Sequence, residues 1–224
     1  MSTLSTVLLH VERGSRPNQK QHRVRPFKGV AVQCAPQVSS SFTVESEIDG
    51  LAGLGFSSLN TVSPKSQLTF FDNAKPHLDS PVFTADLKAN KAGTYDFGFV
   101  DKAKYTGNIT YVPVNPYPGY WTFTASGYGV GSDNFSSSPI DGIADTGTSL
   151  LDISAYGHCH GLLSATLPSF TFGIGEAGQV DYPPLSSSGI GVNIWGDVAL
   201  KAASAVFDGE DPPSIGWATK PLDE

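Results

Sequence analysis

The sequence predicts a mainly β fold, and three observations favour this class. Glycine (24) and proline (16) are frequent among the 224 residues, which indicates many turns. Valine, isoleucine, threonine, phenylalanine and tyrosine occur in short runs between turn signals, as is typical of strands. No apolar stretch approaches the roughly 20 residues of a membrane span, so we expect no membrane-spanning segment. The chain is long enough to bury a full hydrophobic core.

The predicted elements begin at residue 30. Short apolar or alternating runs predict strands at residues 30–33, 42–44, 82–87, 95–100, 108–112, 121–124, 170–172, 191–197 and 205–207. Glycines interrupt the apolar residues of 48–56, which indicates close approach of other groups to that backbone. Residues 64–71, preceded by Ser63, have a short helical pattern with Leu68 and Phe71 on its apolar face.

Charge divides the chain into an arm and a body. Six of the 14 basic residues fall within residues 1–28, which lack any sustained period and are predicted to be a disordered basic arm. Dispersed cations with Phe27 as the single aromatic residue among them make a nucleic-acid or membrane tail the weaker alternative. From residue 29 onward, 8 lysines stand against 20 acidic residues. Because phosphates require a basic surface, we expect no binding of nucleic acid by this body.

One motif carries recognisable chemistry. Asp145-Thr146-Gly147 lies between two apolar runs and is the single Asp-Thr-Gly of the sequence, and no Asp-Ser-Gly occurs. Glycine at the third position removes the Cβ and lets a second backbone come close to the loop. An isolated motif of this kind is also compatible with an ordinary turn aspartate, so the flanking sequence has to decide its meaning.

The flanking sequence resembles the pepsin-like aspartic endopeptidases of fungi. The similar segments follow the family's order from about residue 29 to residue 221: 49–62, 95–101, 104–107, 140–151, 187–201, 206–208 and 215–218. The resemblance implies a pepsin-like acid-protease fold with a nearly complete C-terminal lobe and the back part of the N-terminal lobe. Residues 29–110 would form the first-lobe remnant with the inter-lobe sheet, and residues 111–224 the second lobe with the Asp145 loop.

The resemblance also assigns roles within this loop. Asp145 would be a catalytic aspartate, Thr146 would tie two active-site loops together, and Gly147 would meet the substrate backbone. Thr148 would hydrogen-bond the carboxylate, and Ile143 would line a substrate pocket. In aspartic proteases generally, two carboxylates share one proton: the charged one activates water and the neutral one protonates the carbonyl oxygen. No metal and no cofactor is expected.

Two apolar-apolar-glycine elements accompany these assignments. By resemblance, the elements that end at Gly53 and Gly196 would pack behind the two active-site loops. The family's first catalytic loop and its flap tyrosine have no counterpart in this sequence. We therefore expect an aspartic-type endopeptidase by family that is inactive by itself, acting on a peptide or protein. A non-catalytic peptide-binding homologue and an enzyme assembled from two chains remain alternatives.

Location and association follow from the same resemblance. The family implies a secreted or vacuolar protein, although the first residues do not match a signal peptide. The triplets Asn108-Ile109-Thr110 and Asn134-Phe135-Ser136 are glycosylation acceptors if the chain is secreted. The apolar residues of 30–32 and 51–54 would be left uncovered, so we expect self-association through this first-lobe face.

The two cysteines are not expected to pair. Nothing local supports a bond between Cys34 and Cys159. By resemblance, Cys159 corresponds to half of the family's second-lobe disulfide, but residues 182–185 stand where its partner would be, which favours a free thiol. A metal site at residues 158–160 is the weaker alternative, because adjacent side chains on a strand point to opposite faces.

Overall fold

The computed structural model describes residues 6–7, 30–32, 50–89, 91–117, 119–130, 136–137, 139–148, 151–152, 170–174, 178–182, 185–186 and 193–220. Strands dominate this part of the chain, so the predicted mainly β class is confirmed. The strands are β1 (Thr6–Val7), β2 (Ala52–Gly53), β3 (Val82–Asp86), β4 (Thr94–Phe97), β5 (Thr106–Pro113), β6 (Thr122–Ala125), β7 (Gly127–Val130), β8 (Ile140–Ala144), β9 (Leu151–Asp152), β10 (Phe170–Ile174), β11 (Gly178–Tyr182), β12 (Leu185–Ser186), β13 (Asn193–Trp195), β14 (Ala203–Asp208) and β15 (Ser214–Thr219). The α-helices are the first helix, Phe70–Ala74, and the second helix, Asp197–Ala202.

A central antiparallel sheet joins early and late parts of the chain. Its order is β4-β3-β14-β15-β5, so two strands from the end of the sequence lie between three from the first half. All five residues of β3 are buried, because both faces of this strand are covered. Phe83 of β3 stacks on Phe207 of β14 with ring centroids 4.4 Å apart, and Trp121 packs edge-on against both rings. These aromatic rings form the centre of the hydrophobic core.

A second sheet carries the Asp-Thr-Gly motif. Its order is β12-β9-β13-β8-β6, and β8 ends immediately before Asp145. The pair β8 and β13 is parallel, with Ile143 opposite Ile194 and Ala144 opposite Trp195. In the described residues, β7, β10 and β11 form a third sheet, and β1 pairs with β2.

The predicted helix over residues 64–71 is wrong in its start. The first helix begins at Phe70, where the side-chain oxygen of Thr69 accepts a hydrogen bond from the Asp72 amide at 3.4 Å. Threonine is a preferred helix cap, and its bond satisfies one of the free amides of the first turn. Phe71 is buried as expected, whereas Leu68 precedes the helix and is 54% exposed.

The predicted strand at residues 30–33 is also wrong in the part that the structure describes. Residues 30–32 are irregular, and Val32 is 84% exposed. The predicted strands from 82–87 onward all overlap observed strands, although of residues 191–197 only 193–195 form one, because Asp197 begins the second helix and residues 191–192 lie outside the described part. The one predicted for 95–100 ends early because Gly98 adopts a φ of 86°, a left-handed conformation that turns the chain. The run 42–44 lies outside the described residues, as does the predicted arm apart from Thr6–Val7.

Candidate active site

The core holds the Asp145 loop from two sides. The amide of Ala144 donates to the carbonyl oxygen of Trp121 at 3.1 Å, and the amide of Asp145 donates to that of Trp195 at 3.0 Å. Both tryptophans are buried. The apolar run before the motif thus becomes a sheet strand whose last residues are bound to buried backbone, which fixes the start of the loop.

The Asp145 carboxylate is buried, and each of its oxygens accepts a hydrogen bond from its own loop. Asp145 is 2% exposed. The Gly147 amide donates to its Oδ1 at 2.9 Å, and the Thr148 hydroxyl donates to its Oδ2 at 2.7 Å. Each carboxylate oxygen therefore accepts one hydrogen bond within three residues of chain. The Thr148 carbonyl oxygen in turn accepts from the Asp197 amide at 2.6 Å, which ties the loop to the second helix.

The element that ends at Gly196 lies beside this loop, as the sequence predicts. Ile194 and Trp195 form the parallel ladder with the end of β8, and Gly196 is the residue before the second helix. The corresponding element at Gly53 belongs to β2, where Gly53 pairs with Thr6 of the predicted arm. Ile143, expected to line a substrate pocket, is buried in β8 between Thr122 and Ile194.

Tyr95 is a further residue of the site that sequence reasoning missed. Its side chain lies close enough to that of Thr146 for the threonine to affect the titration of the phenol, although Tyr95 belongs to β4 of the central sheet. Burial raises the pKa of the Tyr95 phenol, and the negative charges of Asp197 and Asp145 raise it further, while the interaction with Thr146 opposes the shift. No local pattern identifies Tyr95, because its partner lies far along the chain.

Burial also raises the pKa of the Asp145 carboxyl above its ordinary value of 3.8, although the hydrogen bonds from Gly147 and Thr148 oppose the shift. A raised pKa means that the folded protein binds this proton more tightly than the unfolded chain. The stabilising contribution is thus fully present below 3.8 and is lost as the pH rises through the raised pKa.

We expect this shift to appear in the pH dependence of unfolding. The free energy of unfolding of the wild type, minus that of Asp145→Asn, should increase as the pH falls from neutral toward 3.8, because the variant has no proton to bind at this position. Urea denaturation across this pH range measures the difference. Asp141→Asn, at an exposed carboxylate of the same strand, is the matched control. A difference independent of pH would contradict the raised pKa.

Among the residues that the structure describes, no group of three histidine, cysteine, aspartate or glutamate side chains is placed to hold a metal ion. In the same residues, no helix is long and apolar enough to cross a bilayer. Cys34, Cys159 and the weighed metal residues 158–160 lie outside the described part of the chain. The free thiol at Cys159 stays a prediction.

The fold is that of a pepsin-like acid protease. An aspartic proteinase from Irpex lacteus has a crystal structure that matches with a TM-score of 0.62 at 24% identity, over 79% of this chain and 69% of that one. The family model for eukaryotic aspartyl proteases matches residues 26–157. The chain belongs to the eukaryotic aspartyl protease family.

Two curated fungal relatives agree with this assignment. The chain is 51% identical to podosporapepsin of Podospora anserina, over 87% of this chain and 54% of that protein. It is 52% identical to endothiapepsin of Cryphonectria parasitica, over 86% of this chain and 54% of that protein. The chain thus spans about half the length of the curated relatives that it matches.

Proposed function

We propose that this chain supplies one of the two carboxylates of an aspartic endopeptidase, and that this carboxylate is Asp145. The observation that carries the proposal is the buried Asp145 side chain, whose two oxygens accept hydrogen bonds from Gly147 and Thr148. Such bonds hold the carboxylate in one orientation, as a group that exchanges protons with a substrate needs. The substrate class is a peptide or protein, and the family likeness supports a secreted or vacuolar location.

In the proposed reaction, two carboxylates that share one proton act together on the peptide bond that is cleaved. The charged carboxylate takes a proton from a water molecule as the water attacks the peptide carbonyl, and the protonated carboxylate gives its proton to the carbonyl oxygen. The raised pKa of Asp145 supports this role, because it favours the protonated form relative to an ordinary aspartate. Gly147 would face the substrate backbone, since it is exposed, and Thr146 would be oriented in part by the nearby Tyr95 side chain.

The second carboxylate must come from a segment that carries its own Asp-Thr-Gly or Asp-Ser-Gly, and these 224 residues contain one such motif in total. We therefore expect the 224-residue polypeptide alone to show no peptide-bond cleavage. Loss of one acid–base group lowers the rate of catalysis by roughly 10²–10⁴-fold. A casein or quenched-peptide assay between neutral and acidic pH measures the turnover, with a full-length fungal relative as the positive control.

Two variants make this assay decisive. Asp145→Asn removes the proposed carboxylate, and Asp141→Asn removes an exposed carboxylate of the same strand. Cleavage that is inhibited by pepstatin, lost in Asp145→Asn and retained in Asp141→Asn would contradict inactivity of the chain alone and favour two chains that each supply Asp145. Pepstatin binding by calorimetry without cleavage would favour the peptide-binding homologue.

Assembly from two chains is supported by one specific observation. On the segment assigned to the first lobe, Val32 is 84% exposed and Leu51 is 55% exposed. Leu54, by contrast, is buried and its carbonyl oxygen accepts from the Trp121 indole at 2.8 Å. Among the described residues of this proposed first-lobe face, the exposed apolar side chains thus lie before β2. Sedimentation of the assayed sample shows whether any turnover belongs to the monomer or to a dimer.

A further inference from the structure

Asn108 lies at an open edge of the central sheet. It belongs to β5, which pairs with β15 and is the last strand in the sheet order found among the described residues. Its side chain is exposed, as are its neighbours Thr106 and Gly107. Asn108, Ile109 and Thr110 form the acceptor triplet for asparagine-linked glycans. The triplet therefore lies at an edge with which no other strand pairs among the residues that the structure describes.

The strand also bows outward at this asparagine. Thr110 pairs with Trp217 and Thr106 pairs with Thr219, so that residues 107–109 lie opposite a single residue of β15. Such a bulge leaves the extra residues outside the ladder. Gly107 adopts a φ of 72°, and a Cβ built on it would meet nothing within 4 Å. Asn108 thus lies in the stretch of β5 where the regular register with β15 is interrupted.

Space for a sugar adjoins the asparagine. Asn108, Gly107, Ile109, Tyr105 and Lys102 border an open recess of about 730 Å³. Tyr105 offers an aromatic face and Lys102 offers a charged donor, and a sugar ring presents both an apolar face and hydroxyl groups. No hydrogen bond of the Asn108 side chain is found in the described part of the molecule, so its attachment to a glycan would break no bond of the fold found there.

We propose that Asn108 is an attachment site for an asparagine-linked glycan. The side-chain nitrogen of Asn108 forms a bond to the anomeric carbon of the first sugar of a polyprenyl-diphosphate-linked oligosaccharide, which is the co-reactant. The bond from that carbon to the diphosphate oxygen breaks, and its electron pair leaves with the lipid diphosphate. The amide nitrogen loses one proton to a base of the transferase. Thr110 supplies the hydroxyl by which the transferase recognises the triplet.

A glycan here would also protect the sheet edge. An unpaired edge strand is a template for pairing with another chain, and proteins blunt such edges with bulges, charge or a covering group. The β5 edge already carries the bulge, yet Tyr111 beside it is 46% exposed. A bulky, hydrated oligosaccharide on Asn108 covers this stretch and keeps other strands away.

The test is translation of the full chain behind a cleavable leader in the presence of microsomes, with protease protection as proof of translocation. All samples carry Asn134→Gln, which removes the second triplet. The protected chain should gain the mass of one glycan, and peptide N-glycosidase should remove it. Asn108→Gln and Thr110→Ala should abolish the gain, whereas Thr110→Ser, which keeps a hydroxyl, should retain it.

A protected chain without added mass would overturn the proposal, whether or not the chain later folds. So would a glycan that persists in Asn108→Gln. A second measurement tests the placement on an exposed bulge: the glycosylated chain purified from a secreting yeast should melt at the temperature of the enzymatically deglycosylated chain. A glycan that prevents folding would show that Asn108 is covered in the native protein, which contradicts the site.

Discussion

Replacing Gly142 by alanine is expected to disrupt the sheet that carries Asp145. A Cβ at this position would overlap the ring of Trp195 and lie 2.6 Å from the carbonyl oxygen of Asn193. Neither neighbour can withdraw, since Trp195 is buried against Phe123 at 4.9 Å and the Asn193 oxygen is part of β13. Overpacking of a core costs about 1–3 kcal/mol, and a contact with backbone falls at the upper end or beyond.

Thermal unfolding followed by circular dichroism measures this loss. For a chain of this size, about 3 kcal/mol corresponds to a fall in melting temperature on the order of 10 °C. The matched control is Gly50→Ala, because a Cβ at Gly50 would meet nothing within 4 Å. A Gly142→Ala protein that melts with the wild type would show that β8 and β13 do not lie as close as described.

Replacing Lys220 by methionine should destabilise the protein by about 3–5 kcal/mol, the range for breaking a buried ion pair. Lys220 and Asp86 are both buried, and the lysine Nζ lies 3.3 Å from the Asp86 carboxylate. The same ammonium donates to the carbonyl oxygens of Leu87 and Leu200. Without it, the Asp86 carboxylate keeps Lys88, at 3.6 Å, as its remaining ion-pair contact among the described residues.

Two further variants distinguish the effect of burying an ion pair from the effect of losing a lysine charge. Lys201→Met removes an ion pair with Asp197 at 2.6 Å that is partly exposed to water, and should cost about 0–1 kcal/mol. The double variant Lys220→Met with Asp86→Leu removes both buried charges and should recover much of the loss, because hydrophobic pairs often replace buried ion pairs without penalty. Equal effects of Lys220→Met and Lys201→Met in urea denaturation would contradict the buried pair.

Local sequence patterns predicted individual strands that the structure contains. Residues 82–87 alternate in sequence and form β3, and residues 205–207 lie within β14. The alternation did not predict that Thr84 and Asp86, on the polar side of β3, are buried as well. Asp86 is buried because Lys220 meets it across a long interval of sequence, and no local window contains both residues.

Long-range partners were also invisible to local sequence at the Asp145 site and at the strand wrongly predicted for residues 30–33. The Asp145 motif and its resemblance pointed to the loop, but Tyr95 reaches Thr146 from another sheet, and spacing along the chain gives no hint of that contact. Residues 30–32 have the composition of a strand, yet a strand requires a partner to bond its backbone, and none pairs with them among the described residues.

The interleaved order of the central sheet constrains how the protein is made. Thr84 of β3 pairs with Val206 of β14, and Val112 of β5 pairs with Ile215 of β15. During synthesis, β3 and β5 therefore leave the ribosome long before the strands that separate them. Such distant pairings close large loops and form slowly. Until β14 and β15 are synthesised, the strand edges that they pair with on β3 and β5 lack these partners, and unpaired edges of this kind are prone to aggregation.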